Sequence, residues 1–129
     1  MAVVVDSSVL IAALHREDAL HNRGIRALEN AELPIIVPEY IAVETIGVLT
    51  GRNHKDSAAV CIKTLAENRT LTFMPSTLAL FAEAARYFLS TSKRLSFIDC
   101  ALAVLAREYD VLTFDKVLAK TILQEKRKL

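Results

Sequence analysis

The stretch VVVDSSVLIAAL, Val3 to Leu14, changes its periodicity at a single residue. Three β-branched side chains in succession, with no polar residue alternating between them, suit a strand covered on both faces. The eight residues SSVLIAAL that follow carry a helical pattern, and Asp6 stands at the junction with a side chain suited to cap that helix. A strand that runs straight into a helix begins a βαβ unit, and a parallel sheet follows if the pattern recurs.

It recurs three times. PIIV (34–37), TLTF (70–73) and DVLTF (110–114) are short continuous apolar runs without strict alternation. Between them lie helical stretches with recognisable ends. Asp18 is placed to cap ALHNRGIRALENAE (19–32), Pro38 suits a first turn, and Gly51 suits the close of EYIAVETIGVLT (39–50). Asp56 opens 57–68, Pro75-Ser76 opens 77–91, Ser96 opens the helix of FIDCALAVLA (97–106), and Asp115 opens 116–128. The order β-α-α-β-α-α-β-α-α-β-α predicts an α/β sandwich with right-handed crossovers.

A chain of 129 residues, 53% hydrophobic and 24% charged, is expected to fold as one domain over 1–129. No uncharged apolar window of about 18 residues is present, so no membrane span is expected. The N-terminus lacks the basic segment of a signal peptide. Cys61 and Cys100 sit in apolar helical patterns without metal-like spacing, which points to buried free thiols and a reducing cytoplasm. His15, His21 and His54 likewise lack ligand spacing and are expected on the surface or in loops.

Parallel sheets bind ligands beyond the carboxyl ends of their strands, and four acids are delivered there. Asp6 follows VVV and Asp115 follows VLTF. Glu44 lies two turns into the helix after PIIV, and Asp99 lies in the first turn of the helix before the last strand. Caps account for Asp6 and Asp115 taken singly, a capping box with Ser96 for Asp99, and a distant Arg for Glu44. Neither Glu44 nor Asp99 has a Lys or Arg at i±3 or i±4. Clustered carboxylates raise one another's pKa unless a cation neutralises them, and hard Mg²⁺ or Mn²⁺ prefers oxygen ligands. Such a site, with one or two ions, suits phosphodiester hydrolysis.

VVVDSSVLIAAL, VPEYIAVETIGVL, LSFIDCALAVLA and VLTFDKVL, taken in order, resemble the four motifs of PIN-domain ribonucleases, nearest to the VapC-type toxins of toxin–antitoxin pairs. The resemblance runs from about Ala2 to Lys120. It implies a three-layer α/β/α sandwich with a four- or five-stranded parallel sheet, since members commonly add a fifth strand and KTILQEKRKL here reads as helix and basic tail. It implies Asp6, Glu44, Asp99 and Asp115 as the metal-holding catalytic acids, with Ser7, Ser8 and Thr113 in support. It further implies Mg²⁺- or Mn²⁺-dependent cutting of RNA, a homodimer, and a VapB-like antitoxin that covers the site. A non-catalytic PIN-like binding module and a housekeeping RNA-processing nuclease are the alternatives. A haloacid-dehalogenase-like phosphatase would need an acid where Ser8 stands, and a receiver domain one in TFMP (72–75).

The formal net charge is +1, yet fifteen acids less these four leaves eleven against sixteen Lys and Arg. The expected body is basic around an acidic pocket, with Arg52, Lys55, Lys93, Arg94 and Lys116 as candidate contacts to an RNA backbone. There is no Trp, and Phe and Tyr fall mostly on apolar faces, so base stacking is not expected. TLALFAEAARYFLST (77–91) is expected to pack mainly in the core, with part of it available to a second subunit or an antitoxin helix.

Overall fold

The computed structural model, which describes residues 2–128, alternates short strands with pairs of helices. In chain order these are β1 (Val3–Val5), α1 (Ser7–Leu14), α2 (His21–Asn30), β2 (Ile35–Pro38), α3 (Glu39–Gly51) and α4 (Lys55–Glu67). Then come β3 (Leu71–Met74), α5 (Leu78–Ser90), α6 (Phe97–Leu105), β4 (Asp110–Leu112) and α7 (Lys116–Arg127). All pairings are parallel, in the order β3-β2-β1-β4, with Val3 opposite both Ile35 and Asp110. The sheet has four strands among the described residues, and α7 runs on to Arg127 where a fifth could have stood.

The chain moves outward from β1 to β2 to β3 and then returns across the sheet to β4. Right-handed crossovers therefore put α1–α4 on one face and α5 and α6 on the other. The packing agrees: α1 contacts α2, α3 and α4, while α6 contacts α5 and α7. The winding reverses between β1 and β4, and that is where open α/β sheets form their crevice.

The central strands are covered on both faces, with Val4, Val5 and Val37 completely buried. The core is built on them with Leu10, Ile41, Leu102 and Leu118. Edge strand β3 differs from the expectation of a fully covered sheet, because Thr72 and Phe73 are exposed. The last strand ends at Leu112, short of Phe114, because Thr113 turns to Asp6 and Phe114 to Ser8, at the start of α1.

Several helix ends also differ. Asp18 accepts from the Leu20 amide at 2.8 Å in a local turn and leaves α2 to begin at His21. Helix α4 begins at Lys55, one residue before Asp56. Thr77 caps α5 by accepting from the Leu80 amide at 3.1 Å. After α3 the left-handed backbone falls on Asn53, φ 65°, not on Gly51. The largest difference is α5, where Ala84 is buried but Leu78 and Leu89 are 83% and 84% exposed. Phe81 and Phe88 on the same helix are exposed too, and both lie against the Phe97 ring.

One close approach needs glycine. A Cβ on Gly24 would stand 2.7 Å from the Ala13 amide nitrogen and 2.9 Å from the Ala12 Cβ, so α2 could not keep its distance from α1. Gly47, exposed in the middle of α3, has nothing within 4 Å of such an atom. Gly24→Ala is expected to destabilise by about 1–3 kcal/mol, since backbone cannot yield to overpacking. Gly47→Ala should stabilise by about 0.5–1 kcal/mol through helix propensity. Urea unfolding midpoints of the two variants measure both signs.

Candidate active site

Asp6 is the first residue beyond β1, and its amide extends the ladder by donating to the Leu112 carbonyl at 2.9 Å. Its side chain is 5% exposed. An ion buried so far would cost several kcal/mol if left alone. Three donors meet it: the Ser7 amide at 2.8 Å on Oδ1, and the hydroxyls of Ser8 at 2.8 Å and Thr113 at 2.7 Å on Oδ2. Hydrogen bonds to a charged group contribute about 1.5–3 kcal/mol each, so three are of the size that offsets the burial.

The same two hydroxyls reach across to the last strand. Ser8 Oγ accepts from the Phe114 amide and Thr113 Oγ1 accepts from the Asp115 amide, both at 3.0 Å. Asp115 in turn caps α7, its Oδ1 accepting from the Leu118 amide at 2.9 Å. Asp6, Ser8, Thr113 and Asp115 are thus one hydrogen-bonded unit that locks the ends of β1 and β4 together.

Glu44 and Asp99 come to this unit from the two helical layers. Ser7 Oγ donates to Glu44 Oε1. Asp99 closes a capping box on α6: its Oδ2 accepts from the Ser96 amide at 3.2 Å, and its own amide donates to Ser96 Oγ at 3.0 Å. Among the described residues no Lys or Arg pairs with any of the four acids. Burial pushes the Glu44 carboxyl above its ordinary value of 4.5, opposed by the Ser7 bond and reinforced by the charges of Asp6 and Asp99. Burial likewise pushes Asp99 above 3.8, opposed by its bonds to Ser96 and reinforced by Asp6 and Asp115. The four carboxylates therefore act on one another, and Asp6 is common to both sets.

Four carboxylates are the donor chemistry of a hard divalent cation. Their present arrangement is not a finished cage: among the described residues no three acid, His or Cys side chains stand together around one point. Glu44 is held to Ser7, while Asp99 and Asp115 are turned onto helix N-termini. The donors fit such an ion, and local partners hold them apart.

The histidines lie elsewhere. The rings of His15 and His54 stack at 4.1 Å, with His15 Nδ1 2.8 Å from Ser57 Oγ, where α1 ends and α4 begins. Arg52 and Lys55 share that region, and Arg52 is eight residues beyond Glu44, roughly 12 Å along α3. They stand at the far end of α1 and α3 from the acids. Lys93, Arg94 and Lys116, in contrast, flank the starts of α6 and α7. Sequence reasoning missed Arg23, whose guanidinium lies 4.7 Å over the ring of Phe114; nothing in its helical spacing announced that contact. Cys61 and Cys100 are buried free thiols, and burial pushes Cys61 up to about 11.

A PIN domain family model matches residues 3–122 of the chain. The fold is similar to the crystal structure of Mycobacterium tuberculosis VapC20, a sarcin–ricin loop cleaving toxin. The TM-score is 0.81 at 19% identity, over 92% of this chain and 93% of that one. No sequence match among curated proteins is found.

Two predictions follow from the site's hydrogen bonds and charges. Thr113→Val removes one donor to Asp6 and the acceptor of the Asp115 amide, so it should cost about 1–3 kcal/mol in chemical denaturation, with Thr113→Ser restoring most of it. The second concerns pH. A carboxyl whose folded pKa is raised makes the fold more stable when protonated; that contribution is complete below its unfolded value and lost as pH rises through the folded one. Without divalent ions, Glu44→Gln should therefore melt above the wild type at pH 7, and the gap should close as pH falls towards 4.5. Melting curves in EDTA from pH 4 to 8 test this.

Proposed function

The chain belongs to the PIN-domain family, and on that premise we propose that it is a metal-dependent endoribonuclease, the toxin of a VapBC-type pair, acting as a single domain in the cytoplasm. The observation that carries the reading is the convergence of four carboxylates from four separate segments, unpaired by any Lys or Arg among the described residues, at the point where the sheet reverses its winding. No helix among the described residues is long and apolar enough to cross a membrane.

Asp6, Glu44, Asp99 and Asp115 would hold one or two Mg²⁺ or Mn²⁺ ions, which supply an acidified water and neutralise charge on the phosphoryl and leaving oxygens. The chain's own part is positional. Ser8 and Thr113 fix Asp6, Ser7 orients Glu44, and the capping box fixes the start of α6 beneath Asp99. The winding reversal leaves this edge open to a strand of RNA.

Two apolar surfaces suit the partners this reading requires. Helix α5 presents Leu78, Phe81, Phe88 and Leu89 outward, a face fit to meet its own copy across a two-fold axis in a homodimer. A groove of about 520 Å³ lined by Leu10, Leu14, Ile25, Leu28, Leu33 and Leu71 suits an apolar antitoxin segment.

Asp99→Asn should lower RNA cleavage at least about a hundredfold, since loss even of groups that only support a ligand commonly costs 10–100-fold. It should leave the circular dichroism spectrum unchanged. A readout independent of the substrate is the melting temperature with and without Mn²⁺. A ligand at a hundred times its Kd stabilises by about 2.7 kcal/mol, and the variant should gain less than the wild type. Metal-dependent cleavage surviving in Asp99→Asn would sink the assignment; Mn²⁺ stabilisation without cleavage of any RNA would leave a PIN-like binding module instead.

A further inference from the structure

Beside the acids runs a groove of about 590 Å³ between the loop before α6 and the outer face of α7. Lys93 and Arg94 form one wall; Lys116, Val117, Lys120, Thr121 and Gln124 form the other. Four cations line it and no acid does. Two other concavities that contain a Lys are balanced, Lys55 by Glu17 and Asp56, and Lys63 by Glu67.

The contrast repeats along α7 itself. Towards its C-terminus Lys126 pairs with Asp110 at 3.1 Å and Lys128 with Glu125 at 3.2 Å. At the N-terminal end Lys116 and Lys120, one turn apart on the same face, pair with no acid among the described residues. Two cations so placed destabilise a helix, and near its N-terminus the macrodipole adds to the cost. Lys93 Nζ is held across the groove by Gln124 Oε1 and by Thr121 Oγ1 at 3.4 Å, neutral oxygens that orient the charge without cancelling it.

The groove is also aimed. Lys116 follows Asp115, and Arg94 lies two residues before Ser96, the cap that positions Asp99. A phosphate approaching four carboxylates is repelled, and a cationic channel whose lining adjoins Asp115 and the cap of Asp99 along the chain offsets that repulsion. No aromatic side chain lines the channel, so it offers charge and hydrogen bonds but no platform for a base. Its volume is that of a small-molecule pocket, far short of a duplex.

Resting on the nuclease reading above, we propose that this groove carries the sugar–phosphate backbone of single-stranded RNA to or from the acid cluster. Lys116 and Lys120 are phosphate contacts, and Arg52 and Lys55 at the other end of the molecule are not. The groove supplies affinity for any sequence.

The test is fluorescence anisotropy with a labelled 12-nucleotide oligouridylate, without divalent ions and in an Asp99→Asn background that keeps the RNA intact. Kd is measured against KCl concentration for that protein, for Lys116→Gln/Lys120→Gln added to it, and for Arg52→Gln/Lys55→Gln added to it. Each single-strand phosphate contact contributes about 0.7 to the salt slope, so the groove pair should lose about 1.4 and bind ~25-fold more weakly at 0.1 M than at 1 M relative to its parent. The distal pair should keep slope and Kd. Equal loss in both pairs, or none in the groove pair, overturns the assignment. So does an oligoglutamate that competes as well as RNA, which would make the groove a seat for an acidic peptide. Cleavage by the otherwise wild-type protein, assayed separately, tells the two failures apart: intact cleavage with an indifferent groove removes the groove alone, whereas absence of both cleavage and RNA binding removes the nuclease reading with it.

Discussion

The buried carboxylate of Asp6 is the constraint on which the rest of the site depends. It stands where two adjacent parallel strands end, and its three donors come from the segments that follow both of them. Leaving any of its lone pairs unmet would weaken the joint between β1 and β4, because an unpaired charge in that position is far more costly than the bonds that satisfy it are favourable. Ser8 and Thr113 serve the fold and the site by the same contacts. Each donates its one proton to Asp6 and accepts a backbone amide from the segment that carries Asp115. Moving Asp6 would therefore move Asp115 as well.

Each of the other acids has a local structural duty, and none of those duties explains why they gather. A capping box explains why an acid stands at position 99, and an N-cap explains one at 115. Neither explains why Asp99 lies within electrostatic reach of both Asp115 and Asp6, or why Glu44 joins them from a helix on the opposite face. Caps could be Ser, Thr or Asn at no electrostatic cost. Choosing carboxylates at all four places raises the charge density of one edge of the sheet, against the stability of the folded chain.

The strands and the acids could be read from sequence because they depend on local pattern. Continuous Val and Ile runs have one comfortable setting, the middle of a parallel sheet, and three of the four acids follow a strand or open a helix, Glu44 alone standing two turns into α3. Tertiary placement was harder to read. Helix α5 carries enough Leu and Phe to pass for core, yet only Ala84 is buried, and periodicity does not tell a face packed inside from one left outside. The basic residues look equivalent along the chain, while the fold sends Lys93, Arg94 and Lys116 to the acid edge and Arg52 and Lys55 to the other. Arg23 reaches Phe114 from α2, beside the Gly24 position where that helix lies close against α1. The cap assigned to Asp18 failed because an Asp has a rival local option, a turn closed on the second amide after it, and Leu20 takes it.

Stability and chemistry are kept at opposite ends of the same elements. Below the sheet's carboxyl edge, Val4, Val5 and Val37 are sealed from water, the α1–α2 backbones touch across Gly24, and His15, His54 and Ser57 close the lower joint. At about 1.5–3 kcal/mol for each fully buried large apolar side chain, a few core positions outweigh the repulsion of three partly solvated carboxylates around the buried Asp6. That margin lets the upper edge keep like charges side by side, with an unbalanced run of Lys beside them. Neutralising Glu44 should therefore leave the fold standing or strengthen it, while loosening the lower joint, or the Asp6 joint between β1 and β4, should weaken the whole chain. A site in which three further acids gather around the one the fold needs, at a cost in mutual repulsion, is what selection for chemistry rather than for stability would leave.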